Sequence, residues 1–141
     1  MRSQEFQIQE GDCGDYWGVA GGSFDVHATK NSNNEWRFDR QGKLMTFNEA
    51  SEIGRRCWKD SDKEKPGEWN KIDLYVMGDS SIHSVNDSLV MMLFHSRQLN
   101  NGKSIPLTKG KIQLQSEGCE VFYRNIKLEP IIKMPNFYRA F

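Results

Sequence analysis

Residues 67–87 have the sequence GEWNKIDLYVMGDSSIHSVND, and this stretch contains a clear strand pattern. Its alternating apolar positions are Ile72, Leu74 and Val76. An apolar residue at every second position is typical of a β-strand with one buried face. Gly78-Asp79 then predicts a turn, and a second strand follows over residues 81–86 before Asn86-Asp87 turns the chain again. The stretch therefore predicts two neighbouring strands joined by a tight turn.

Similar patterns recur along the rest of the chain at intervals typical of a β-sandwich. The predicted strands cover residues 5–9, 17–26, 35–38, 43–47, 69–77, 81–86, 89–94, 112–115 and 121–128. Gly18, Gly21 and Gly22 in the second of them predict a bulge or a close approach of two backbones. Helical signals are nearly absent, since the best window, residues 46–58, contains Gly54 and supports one short turn. We expect an all-β fold, an antiparallel β-sandwich.

The composition is that of an ordinary globular domain. Of the 141 residues, 37% are hydrophobic and 27% are charged, which does not fit a disordered chain. The 19 basic and 19 acidic side chains give a formal net charge of zero, which indicates neither nucleic-acid binding nor binding to anionic membranes. No apolar run reaches the roughly 18 residues of a membrane span. The length favours one domain.

The metal-binding and disulfide signals are weak. Cys13, Cys57 and Cys119 form no Cys-x-x-Cys pair, so one disulfide plus a thiol and three free thiols are both compatible with the sequence. His27 and His95 do not pair with carboxylates at recognisable ligand spacing, and we predict no metal site. Calcium bound at residues 11–15 is an alternative, although this acidic turn lacks calcium-loop spacing.

The second half of the chain contains an ordered set of motifs, Gly-x-Trp-Asn, His-x-x-Asn, Pro-Leu-x-x-Gly-x-Ile-x-Leu-Gln and Arg-Asn-Ile. The residues that form them are Gly67, Trp69, Asn70, His83, Asn86, Pro106, Leu107, Gly110, Ile112, Leu114, Gln115, Arg124, Asn125 and Ile126. In this order the motifs resemble those of the 3-keto-disaccharide hydrolase domain family. Asp87 stands where that family usually has glycine, and an Asn-Asp turn is still compatible because both residues tolerate positive φ.

Residues 2–18, RSQEFQIQEGDCGDYWG, are similar to the central Glu-x-Gln-Ile-x-Asp strand of that family, with Glu10 near the position of the Asp. The resemblance implies a concanavalin A-like jelly roll of which this chain contains only the later part. We therefore expect residues 1–131 to form the later part of a single jelly-roll domain without its N-terminal strands, and residues 132–141 to form a tail. The chain opens without a signal-peptide pattern. The resemblance implies an exported bacterial parent protein in the periplasm or at the cell surface.

The resemblance also implies a sugar-binding groove on one sheet. Alternation in EFQIQE places Phe6 and Ile8 in the core, and it directs Glu5, Gln7 and Gln9 towards the groove. Amides suit sugar hydroxyls because both groups donate and accept hydrogen bonds.

Two further features extend the predicted groove. In KIQLQ, residues 111–115, we expect Ile112 and Leu114 to be buried and Gln113 and Gln115 to be exposed in the groove. Trp17 is expected to present its ring to the sugar. Trp69 begins an alternating strand and is expected in the core.

The resemblance implies a substrate, an oligosaccharide oxidised to a ketone at carbon 3. The ketone acidifies the proton on carbon 2, and removal of this proton expels the glycosidic oxygen from carbon 1. The reaction ends as an elimination or, after addition of water, as net hydrolysis. His83 is the first candidate base because imidazole titrates near neutral pH. Glu5 is the alternative base or the acid for the leaving group. Gln7, Gln115 and Arg2 are candidates for polarising the ketone or holding hydroxyls.

Other functions remain open on the sequence alone. A non-catalytic carbohydrate-binding module would use the same groove, and a truncated chain would be inactive; the oligomeric state and the sugar are not predicted. Glu5, Gln7 and Glu10 are also similar to the Glu-x-Asp-x-x-Glu strand of laminarinase-like enzymes. Gln7 replaces the central Asp and cannot share a proton, which argues against a direct retaining glycosidase.

Arg124 occupies an otherwise apolar column of the predicted last strand. The column consists of Phe122, Arg124, Ile126 and Leu128. A buried guanidinium requires a partner, because breaking a buried ion pair costs about 3–5 kcal/mol. We expect a structural salt bridge from Arg124 to a loop carboxylate such as Glu68 or Asp73, and contact with a substrate is the alternative.

Overall fold

The computed structural model describes residues 3–116 and 118–136, in which the chain forms ten β-strands and no α-helix. The strands are β1 (Ser3–Phe6), β2 (Tyr16–Val19), β3 (Gly22–Lys30), β4 (Trp36–Phe38), β5 (Lys43–Phe47), β6 (Arg56–Cys57), β7 (Ile72–Met77), β8 (Ser80–Val85), β9 (Ser88–Asn100) and β10 (Lys103–Pro106). The predicted strand over residues 17–26 is in fact two strands, because Ala20 and Gly21 adopt positive φ and turn the chain.

Two antiparallel sheets pack against each other. The small sheet has the order β1-β2-β6, and the large sheet has the order β4-β3-β9-β8-β7, with β5 beside β3 and β10 beside β9. The hairpin predicted from residues 67–87 is β7 and β8, and Asn86 and Asp87 both adopt positive φ in the following turn. The predicted burial of the apolar face of β7 is wrong, because Leu74 is 43% exposed and Val76 is 54% exposed. The predicted all-β antiparallel sandwich is confirmed, and the arrangement is consistent with a jelly roll.

Strand alternation in the small sheet produces one buried row and one outward row. Cross-strand pairing aligns Phe6 with Tyr16 and Tyr16 with Cys57. Tyr16 and Cys57 are fully buried, and the Tyr16 ring meets Phe24 of β3 edge to face, with 5.6 Å between ring centroids. The row of Phe6, Tyr16 and Cys57 therefore packs on the large sheet. The residues next to them along each strand point to the opposite face of the small sheet, which faces outward.

The side chain of Gln4 fixes the distance between the two sheets. Its Nε2 donates to the carbonyl oxygen of Ser23 at 2.8 Å, and its Oε1 accepts from Ser96 Oγ at 2.9 Å. Gly22 lies so close to the carbonyl oxygen of Ser3 that a Cβ there would overlap it. The close backbone approach predicted from the glycines is thus confirmed, and it holds β1 against β3.

The C-terminal part of the predicted fold is wrong. Residues 112–115 and 121–128 form no strand, because no neighbouring strand pairs with their N–H and C=O groups. Ile112 is 71% exposed and Leu114 is 46% exposed, so neither side chain is in the core. After β10 most of the described residues are exposed, and none of them belongs to a further strand.

Arg124 and Trp69 also depart from the prediction. Trp69 is 52% exposed, and the guanidinium of Arg124 lies over its ring, 4.0 Å from the centroid. Among the described residues, the ion pairs include none between Arg124 and Glu68 or Asp73. The role of Arg124 is a cation–π contact at the surface, which needs no buried carboxylate.

Cys13 and Cys57 are buried thiols, and Cys119 is exposed. Within the described ranges, no helix has the length and apolar character needed to cross a bilayer.

Candidate functional site

The outward row of the small sheet consists of Glu5, Trp17 and Arg56. These residues are cross-strand partners, Glu5 with Trp17 and Trp17 with Arg56. Directly opposed side chains on one face lie about 5 Å apart at Cβ. The pairing therefore brings a carboxylate, an indole and a guanidinium together on the side of the small sheet that faces away from the core.

A hollow of about 300 Å³ lies over this row. Its lining residues are Glu5, Gln7, Gln9, Asp12, Trp17, Val19 and Arg55. Four side chains that the sequence predicts for the sugar groove thus line one hollow: Glu5, Gln7, Gln9 and Trp17. This volume is at the lower end of the range for small-molecule sites.

The loop after β1 shapes one side of the hollow. Gln7 N donates to the carbonyl of Asp15 at 3.0 Å, and Gly14 N donates to the carbonyl of Gln7 at 2.9 Å. These bonds close residues 7–15 back onto the strand. The Gln7 side chain donates from Nε2 to Gln9 Oε1 at 3.0 Å, so the two amides form a connected polar wall.

Arg56 holds residues that line the hollow in place. Its guanidinium donates from Nε (3.0 Å) and Nη2 (2.6 Å) to Asp15 Oδ2, and Nη2 also contacts Asp12 Oδ1 at 2.6 Å. It lies over the rings of Trp17 and Trp58, 4.9 Å and 4.3 Å from their centroids. Asp12 and Asp15 are the two carboxylates of the turn at residues 11–15, where calcium was the alternative. Both therefore contact Arg56.

Asp15 is the buried centre of this support. Its side chain is 1% exposed, and Oδ1 accepts from Lys59 N at 2.9 Å. Burial raises the pKa of Asp15, and the hydrogen bonds from Lys59 and Arg56 act in the opposite direction. The pair formed by Asp15 and Arg56 thus ties the Arg56 end of the outward row to a buried carboxylate.

Arg55 supplies a positive charge at the rim. Its guanidinium lies 5.4 Å from the centroid of the Trp17 ring and pairs with Glu49 Oε1 at 3.0 Å. The Arg55 side chain is 46% exposed, so it is accessible to a ligand in the hollow. Sequence reasoning missed this residue, because two adjacent arginines are equally typical of a solvated loop.

His83 does not reach the hollow. It is 3% exposed, its Nδ1–H donates to the carbonyl of Gly14 at 2.9 Å, and its ring stacks on Phe6 with 4.1 Å between centroids. Phe6 belongs to the buried row, so His83 lies on the opposite side of β1 from Glu5. The expectation that both side chains converge is corrected, because β8 is buried on both faces and the imidazole has no open route to a substrate.

Burial lowers the pKa of His83 to about 4, against the raising effect of the bond to Gly14. In the unfolded chain a histidine titrates near 6.5. As the pH falls below about 6.5, the unfolded chain therefore binds a proton that folded His83 does not, and the free energy of unfolding decreases until about pH 4. This difference in pKa corresponds to about 3 kcal/mol.

We expect urea unfolding curves of the wild type to show a decrease in the free energy of unfolding between pH 7 and pH 4.5. The decrease should be smaller in His83→Gln, whose amide retains a donor for the carbonyl of Gly14. His27→Gln is the matched control, since His27 is only partly buried. An equal pH dependence in wild type and His83→Gln would contradict the assignment of His83 as a buried neutral side chain.

The other predicted site residues do not line the hollow. Gln113 and Gln115 are exposed in the C-terminal segment, where the carbonyl of Gln115 accepts from Tyr123 Oη at 2.9 Å. The expected alternation of KIQLQ is absent because this segment is not a strand. Arg2 lies outside the described residues. In the described ranges, no group of three or more His, Cys, Asp or Glu is placed to hold a metal ion.

Comparison with protein families gives one match. Residues 1–129 match the family described as the 3-keto-alpha-glucoside-1,2-lyase-like domain. The chain belongs to this family. It is the family that the motifs in residues 67–126 resemble. Searches of curated proteins and of solved structures give no match.

In this 3-keto-alpha-glucoside-1,2-lyase-like domain, the hollow contains the group types that an elimination next to a ketone requires. A carboxylate can accept a proton from carbon, a cation can stabilise an enolate oxygen, and amides can hold hydroxyls. Glu5, Arg55 and the pair Gln7 and Gln9 are the corresponding side chains.

Proposed function

We propose that this domain cleaves the glycosidic bond of 3-keto-α-glucosides by elimination across carbons 1 and 2, in the hollow lined by Glu5. The observation that carries the proposal is the meeting of Glu5, Gln7, Trp17 and Arg55 in one hollow of a chain that belongs to the lyase-like family. A 300 Å³ hollow accommodates one sugar ring more readily than a long glycan chain.

The proposed base is Glu5. Its carboxylate takes the proton from carbon 2, which the neighbouring ketone acidifies, and the released electron pair forms an enolate with oxygen 3. The electron pair then returns to form the double bond between carbons 1 and 2 while the bond from carbon 1 to the glycosidic oxygen breaks. The leaving alcohol takes its proton from water. Later addition of water to carbon 1 would give net hydrolysis.

Arg55 is the proposed partner of the enolate oxygen. Its charge lies at the rim beside Trp17, and a fixed cation lowers the energy of developing negative charge more than that of a neutral ketone. The amides of Gln7 and Gln9 would hold sugar hydroxyls, and the exposed part of Trp17 would contact the apolar face of the ring. Three of these side chains, Gln7, Gln9 and Trp17, were predicted from the sequence to face the groove, and Arg55 was not.

The proposal is tested with p-nitrophenyl 3-keto-α-glucoside, and p-nitrophenyl α-glucoside is the matched substrate without the ketone. We expect release of p-nitrophenol from the keto-glycoside alone, because only its proton on carbon 2 is acidic. Proton NMR of the sugar product distinguishes the unsaturated ketone of elimination from the hydrated sugar. Absence of release, together with tight binding of the unoxidised glycoside, would contradict the proposal and indicate a carbohydrate-binding module.

A further inference from the structure

A second cluster of reactive side chains lies on the large sheet. His95 Nδ1 is 2.8 Å from Asp25 Oδ2. The other oxygen of this carboxylate accepts from Arg97 Nη2 at 2.6 Å and from Thr46 Oγ1 at 2.7 Å. Three strands, β3, β5 and β9, contribute to the cluster, so its geometry is fixed by the sheet.

The backbone directs His95 towards this position. Ser23 of β3 pairs with Arg97 of β9, and Asp25 pairs with Phe94. Between these two pairs β3 has one residue and β9 has two, so β9 forms a bulge. His95 lies in the bulge at φ +52°. A histidine in the left-handed region costs conformational energy that glycine would avoid, and such costs concentrate at functional sites. Bulges are known to re-aim side chains.

The pair has the chemistry of an oriented base. Burial would raise the pKa of Asp25, but hydrogen bonds from Arg97, Thr46 and His95 outweigh it and lower the pKa below its ordinary value. Asp25 is therefore a carboxylate that accepts Nδ1–H, which leaves Nε2 as the proton acceptor of the neutral ring. The His95 side chain is 59% exposed, whereas Asp25 is only 14% exposed. A largely inaccessible carboxylate thus holds an imidazole that solvent and small molecules can reach.

The pair is separate from the hollow. Phe24 packs on Tyr16 of the small sheet, and the next residue, Asp25, points to the other face of β3. The hollow lies on the outward face of the small sheet, beyond Tyr16. The two clusters are therefore on opposite sides of the sandwich, and Asp25 and His95 have no part in the reaction proposed for Glu5.

We propose that Asp25 and His95 form a second proton-transfer site, which enolises small α-hydroxy ketones. His95 Nε2 removes a proton from the carbon next to the ketone, the electron pair moves into the carbonyl to give the enediolate, and return of a proton from His95 restores the ketone. No other reactant is consumed. Asp25 is the positioning residue, and the charge of Arg97 lies close by. The ketone substrate class rests on the proposed function of the domain.

Hydrogen exchange of hydroxyacetone in D₂O, followed by proton NMR, tests this site. The protein is the Glu5→Gln variant, so that the proposed base of the hollow does not contribute. We expect saturable exchange at least tenfold faster than with free imidazole at equal concentration. Adding His95→Gln should reduce it about tenfold or more. Adding His27→Gln instead, the matched control, should leave it within twofold.

Asp25→Asn tests the positioning role in the same background. The charged groups that contact His95 among the described residues are Asp25 and Arg97. Loss of the carboxylate should lower the exchange rate and shift its pH profile, whereas a purely structural defect would lower the rate equally at every pH. Circular dichroism identifies any variant that fails to fold, and His95→Asn, which tolerates positive φ, then replaces His95→Gln.

Exchange that is no faster than with free imidazole, or that persists when His95 is replaced in a folded variant, would overturn the second site. Failure of the hollow has a different signature, since wild type would then release no p-nitrophenol from the keto-glycoside. Because exchange and release are measured on different compounds and depend on different side chains, the two proposals can fail separately.

Discussion

Glu5→Gln is expected to lower kcat for aglycone release from p-nitrophenyl 3-keto-α-glucoside by about 10²-fold or more, the usual scale for loss of a proton-transfer group. Glutamine has nearly the same shape but cannot accept the proton from carbon 2. Because Glu5 is a partly exposed residue of the outward row, the substitution does not disturb the core. KM should change much less than kcat, since the amide can still hold a hydroxyl.

Glu10→Gln is the matched control for this substitution. Glu10 is exposed on the neighbouring loop and does not line the hollow. We expect its kcat to stay within twofold of wild type. A Glu5→Gln rate within a few-fold of wild type, with both variants folded, would remove Glu5 from the mechanism.

Arg56→Met is expected to destabilise the domain by about 3–5 kcal/mol, the cost of removing one partner from a buried ion pair. Methionine fills part of the space between Trp17 and Trp58 but leaves the Asp15 carboxylate, which is 1% exposed, without its two hydrogen bonds from the guanidinium. The free energy of unfolding at pH 7, from urea curves monitored by tryptophan fluorescence, measures the effect.

Arg55→Met provides the control at the adjacent position. Arg55 is 46% exposed and its partner Glu49 is 45% exposed, and exposed pairs contribute about 0–1 kcal/mol. Asp15→Asn in the Arg56→Met background should recover part of the loss, because a neutral amide is less costly to bury than an unpaired carboxylate. Equal losses from the two arginine substitutions would refute the buried pair as the support of the hollow.

Local patterns in the sequence predicted the features that depend on neighbouring residues. Alternation about Phe6 predicted the outward direction of Glu5 in β1, because the direction of a side chain in a strand follows from its position. Gln7 and Gln9 also line the hollow, but they do so from the loop after β1, because the strand predicted over residues 5–9 ends at Phe6. The turn at Asn86-Asp87 followed from the tolerance of both residues for positive φ.

The errors arose where tertiary packing decides. Imidazole chemistry suggested His83 as a base, but no local signal indicates that β8 is covered on both faces. Residues 112–115 alternate as a strand would, yet a strand also needs a neighbouring edge, and the sequence does not say which edge is available. Arg124 was placed in a buried column for the same reason, and it instead contacts Trp69.

His95 shows the converse limit. In the sequence it follows an apolar run, and the Asp residue that orients it is 70 positions away. Only the bulge in β9 and its register with β3 bring the two together. Pairings over such separations are set by sheet topology rather than by spacing.

The most direct test of the account is where a keto-glycoside binds. Glu5→Gln should retain methyl 3-keto-α-glucoside without cleaving it, and ¹⁵N-labelled protein reports on its four tryptophan indoles, assigned by single substitutions to phenylalanine. We expect the ligand to shift the Trp17 indole resonance saturably. The resonance of Trp69, which lies beside Arg124 and does not line the hollow, should stay unchanged. Saturable binding that leaves Trp17 unaffected would contradict the assignment of the hollow as the sugar site.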